Sequence, residues 1–158
     1  MLISMDKAYQ ALKTGEDLKY DTREIKVDDL PQIFENVFVE AECKGITNGE
    51  LGDKHKEFLS AVIDGYPIRV FALEGSNGKI QEFLNNAEAL YALKRFLQGL
   101  EFEYVGKSDI AKETEIMLHH LPVSIQRKIR NITIRVVLFS KVTSEADIEH
   151  LKKVIEYL

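Results

Sequence analysis

Along this chain, apolar residues at strand spacing alternate with apolar residues at helical spacing. The most strand-like run is Ile132 to Phe139, almost wholly apolar and β-branched. A second run, Ile68-Arg69-Val70-Phe71-Ala72-Leu73, is bounded by Pro67 and Gly75 and suits a strand buried on both faces. Gly75-Ser76-Asn77-Gly78 follows it, and then a helical run to Gly99 with Ala89, Leu90, Leu93, Phe96 and Leu97 on one face. Asn77-Gly78 is also a strong hairpin signal, with Lys79 to Leu84 as the returning strand. The helix therefore starts either just after the glycine turn or at Asn85, where Asn85 and Glu88 make a cap-like pair.

The remaining elements are read the same way. Glu101 to Val105 alternates and predicts a strand. Ser108 and Asp109 open a predicted helix carrying Ile110, Thr114, Met117, Leu118 and Leu121. Pro122 ends it and starts a short helix with Ile125 and Ile129 facing inward. Ser144 caps a last helix that buries Ile148, Leu151, Ile155 and Leu158. In the N-terminal part, residues 3–13 predict a short helix and Glu24 to Val27 an edge strand. Asp28-Asp29-Leu30-Pro31 is a helix start, with Leu30, Phe34, Val37 and Ala41 at helical spacing, though alternation from Asn36 competes as a strand. Thr47 to Glu50 matches a capping box for a helix whose stripe is Leu51, His55, Phe58, Leu59, Val62 and Ile63. His55 lies on its buried side, which points to a hydrogen-bonded core histidine.

Together these predict a mixed α/β fold, α+β if the Asn77-Gly78 hairpin forms, with a three- to five-stranded sheet flanked by helices. At 158 residues and 45% hydrophobic content, one domain over 1–158 is expected, a helical part at 1–66 joined to an alternating part at 67–158.

Composition narrows the function classes. A net charge of −5 disfavours general affinity for nucleic acid. Residues 1–66 hold the whole of the acidic excess, a surface able to steer a basic partner. The single cysteine, Cys43, excludes an internal disulfide and fits a reducing compartment. No apolar run approaches the roughly 20 residues of a spanning helix. A cytoplasmic protein without membrane contact is expected.

Candidate chemistry is sparse. Gly75, Ser76, Asn77, Gly78 and Lys79 form a glycine-bearing turn able to offer N–H groups to a phosphate. It departs from both phosphate-binding signatures, with Gly-x-x-Gly spacing and Ile80 where a P-loop needs Ser or Thr. Arg127, Lys128, Arg130 and Arg135 fall in a span free of acids and suit a nucleic acid or an acidic partner. Glu113, Glu115, His119 and His120 share one predicted helix but lack any metal-ligand pattern. No nucleophile elbow is present. No catalytic residue, metal or cofactor is assigned, and the balance leans away from an enzyme.

The leading expectation is a protein-binding protein: a regulator, inhibitor, adaptor or assembly component, with homo-oligomerisation left open. The alternatives are a nucleotide or phosphometabolite binder at Gly75 to Lys79, and a nucleic-acid regulator at Arg127 to Arg135.

Overall fold

A computed structural model describes residues 19–37, 39, 51–107, 115–140 and 144–157. Its centre is a mixed four-stranded sheet. The inner strands are the two apolar runs, β2 (Ile68–Glu74) and β6 (Thr133–Ser140), paired in parallel. β1 (Lys19–Lys26) pairs antiparallel with β6 at one edge, and β3 (Ile80–Phe83) pairs antiparallel with β2 at the other. The hairpin at Asn77-Gly78 is real, and Gly78 sits at φ +76°, a conformation with no steric cost for glycine.

Strand alternation sorts the inner strands into two faces. Ile68, Val70 and Ala72 of β2 and Ile134, Val136 and Leu138 of β6 join the larger core. That core is closed by α1 (Leu30–Ile33), α2 (Asp53–Ile63), α3 (Ala87–Leu97) and α4 (Val123–Arg130). It draws Val27, Leu30, Phe34 and Val37 into the same cluster as the C-terminal strands. On the opposite face, Phe71, Leu73, Val137 and Phe139 meet Leu151 and Ile155 of a single helix, α5 (Glu145–Ile155). The Ser144 hydroxyl caps α5, accepting the Asp147 N–H at 3.1 Å.

Several expectations needed correction. The helix from Leu30 is one turn ending at Ile33, preceded by a 3-10 turn over Val27–Asp29; it does not run on to Ala41, which lies outside the described residues. Phe34 and Val37 are buried all the same, packed from a turn. Asn85 does not cap α3. Its Oδ1 accepts the Phe71 N–H at 2.8 Å, and Asn86 takes the cap position in the left-handed region at φ +57°. The demand of an otherwise unpaired strand N–H outweighs the local capping pattern.

The predicted helix through Met117 to Leu121 is also absent. β4 (Phe102–Glu103) pairs with β5 (Glu115–Ile116) in a small second sheet, and a 3-10 turn covers Leu118–His120. Ile116, Leu118 and Leu121 are buried regardless, so burial governs where the apolar residues go and the backbone route is secondary. The β4 end is fastened to α2. The Tyr104 hydroxyl donates to Asp64, the Lys107 N–H donates to Asp64 at 3.0 Å, and the Val105 N–H donates to Ser60 at 2.9 Å. A Cβ at Gly106 would collide with Tyr104 and Asp64. On α3, burial first and then the neighbouring Arg95 charge hold the Lys94 amine below its ordinary value, against the pull of Glu35.

The predicted helix at residues 3–13, the Thr47 to Glu50 box, Ser108 to Thr114, Cys43 and Leu158 lie outside the described residues. Among the described residues, no helix is long and apolar enough to cross a membrane.

Candidate binding surfaces

Gly75 to Lys79 form the tip of the β2–β3 hairpin. The Gly75 N–H donates to Lys79 O at 2.8 Å, and the Gly78 N–H donates to Gly75 O at 3.1 Å. The Lys79 N–H donates to Asn77 Oδ1 at 3.0 Å. These donors are spent inside the turn, and the turn leads into a strand instead of a helix, so no helix dipole adds to it. The tip is held from outside as well, by Arg23 Nη1 donating to Gly78 O at 3.2 Å.

The basic cluster is divided by the sheet. Arg127 and Lys128 are exposed on α4, and Arg130 pairs with Asp28 at 2.7 Å. The buried Ile129 of α4 belongs to the Ile134 side of the sheet, whereas Arg135 projects from the α5 side. The four residues therefore do not form one surface. The predicted Glu115–His119 helical pair does not form either, because the two residues lie on a strand and a 3-10 turn.

Two concavities are built from residues far apart in sequence. The first, of about 400 Å³, lies where α2 and α3 begin, lined by Lys54, His55, Phe58, Phe83, Glu88 and Lys152 among others. His55 Nε2 meets Glu88 Oε2 at 3.0 Å. A carboxylate only accepts, so the imidazole donates through Nε2–H, which leaves Nδ1 as its lone-pair nitrogen in the neutral ring. Nδ1 is buried without a partner among the described residues. A general base must turn that nitrogen toward a substrate, and here it is enclosed. The pair ties α2 to α3, as expected for a hydrogen-bonded histidine on the buried side.

The second concavity, also about 400 Å³, lies on the α5 side of the main sheet, lined by Glu24, Pro67, Ile68, Arg69, Thr133 and Arg135. α5 covers the C-terminal halves of β2 and β6 and leaves their N-terminal halves bare. On this bare half, Arg69 and Arg135 are direct register partners, and Glu24 stands opposite Arg135 on β1. The Arg69 guanidinium lies over the Phe71 ring, 5.1 Å from its centroid. No carboxylate among the described residues forms an ion pair with Arg69 or Arg135. Beside them β1 is exposed nearly throughout, and no described strand pairs with its outer edge.

The sequence signal for Arg69 is a lone charge within an apolar strand run, which marks a position turned to solvent. No family model, curated protein or solved structure matches this chain.

Proposed function

We propose that this protein acts by binding another protein, and that it takes an extended, acidic segment of its partner along β1 and the bare half of the sheet. The observation that carries this reading is the incomplete cover on the α5 side. It leaves Arg69, Arg135 and Lys26 exposed against Glu24, next to a strand edge that no described strand pairs with. A free edge offers main-chain hydrogen bonds to an added strand, and the side chains beside it select the sequence that adds. The chain as a whole carries −5, so a basic patch attracts an acidic segment that the rest of the surface repels. The acidic N-terminal part and a basic partner remain the other form of this reading.

Site-specific photo-crosslinking tests it. A photoreactive residue replacing Thr22 or Lys26 should yield one discrete adduct in native lysate, mapped by mass spectrometry to an acidic stretch. The same probe at Glu57, exposed on α2, should not. Adducts that form equally at all three positions, or that map to basic stretches, overturn the proposal.

A further inference from the structure

We infer that Arg69 and Arg135 form a clamp for a phosphoryl group carried on the docked segment, an inference that rests on the docking proposed above. The first support is that the two residues are paired in register on adjacent parallel strands, with both side chains exposed on one face. Like charges side by side across a sheet destabilise it unless a counter-charge is present. Glu24, the carboxylate in the same row, forms no ion pair with either arginine, and one carboxylate could balance only one of them.

The second support is shape and chemistry. The recess holds about 400 Å³, more than a bare oxyanion fills, and it reaches Glu24 of β1, whose outer edge no described strand pairs with. Thr133 lines it and adds a hydroxyl donor. Two planar guanidinium forks match the oxygens of a phosphate monoester, whose charge at neutral pH approaches −2. The Phe71 ring beneath Arg69 holds one fork against the sheet, which lowers the entropy lost on binding.

The full chain, labelled with ¹⁵N, is titrated with three probes: a pool of extended phosphoserine peptides, the same pool with glutamate in place of phosphoserine, and phenyl phosphate. The phosphoserine pool should shift the amides of Arg69, Thr133, Arg135 and β1 and bind about ten-fold or more tighter than the glutamate pool. Arg69→Gln and Arg135→Gln should each remove most of that preference with the fold intact by circular dichroism. Arg135→Lys should restore only part, because an ammonium lacks the fork. Equal binding of the two peptide pools at these residues overturns the clamp and leaves the docking proposal standing. Phenyl phosphate binding as tightly as the phosphoserine pool overturns a peptide as the source of the group. Shifts confined to other surfaces, or none, overturn both readings.

Discussion

The two faces of the main sheet are made from the same strands, yet among the described residues only one is closed along its length. On the helix-rich face Ile134, Val136 and Leu138 of β6 are buried, covered by residues from α1, α2, α3 and α4. On the α5 face Val137 and Phe139 are buried while Thr133 and Arg135 stay in solvent. A single helix of 11 residues is about 16 Å long by the helical rise, and it covers one end of the strands only. The difference shows that a strand reading as uniformly apolar still carries a boundary, set where its covering helix stops.

The sharpest way to break this comparison is to substitute β6 at its packed end, at Leu138, and at its bare end, at Arg135. Leu138 is 1% exposed, and Leu138→Ala should cost about 2–5 kcal/mol in urea denaturation, by lost transfer energy plus the cavity left behind. Asn85→Ala should cost about 1–3 kcal/mol, because it strands the Phe71 N–H on a buried strand. A loss within error of zero there would mean that water replaces the amide and that the loop is looser than its hydrogen bond implies.

Ser144→Ala should cost about 1 kcal/mol by removing the α5 cap. It should also raise hydrogen exchange in α5 more than in α3, if α5 is the separable cover of one face. The smallest effect is expected at the bare end. Arg135→Ala should change stability by no more than about 0.5 kcal/mol, on the stabilising side, since it relieves repulsion with Arg69. A loss approaching that of Leu138→Ala would place Arg135 within the packed core and remove the contrast between the faces.

Much of the fold was legible because its signals are local. The apolar runs at Ile68 and Ile132, the Asn77-Gly78 turn, the Ser144 cap and the α2 stripe from the half-buried His55 to Ile63 each depend on residues within a few positions of one another, while Leu51 of the predicted stripe precedes the helix. The misread elements are those where a distant group made the stronger claim. Asn85 was taken by a strand N–H across the loop. The apolar residues from Ile116 to Leu121 reached the core from a short strand and a 3-10 turn, because their burial does not require a helix.

The binding surfaces were less legible than the elements that carry them. Arg135 grouped in sequence with Arg127, Lys128 and Arg130, but strand alternation sends it through the sheet to the opposite face. Its actual neighbour is Arg69, from the other half of a parallel pair. Likewise, His55 was readable as a buried-side histidine, while its partner Glu88 lies on another helix.

What this chain determined by itself is which segments become strands and helices and which of their sides turn inward, since those depend on spacing and turn chemistry over a few residues. Strand order, the reach of α5 across the sheet and the meeting of Arg69 with Arg135 were decided only in the tertiary structure. Those features arise from contacts between segments remote in the chain, and local patterns carry no record of which remote surface will be available to pack.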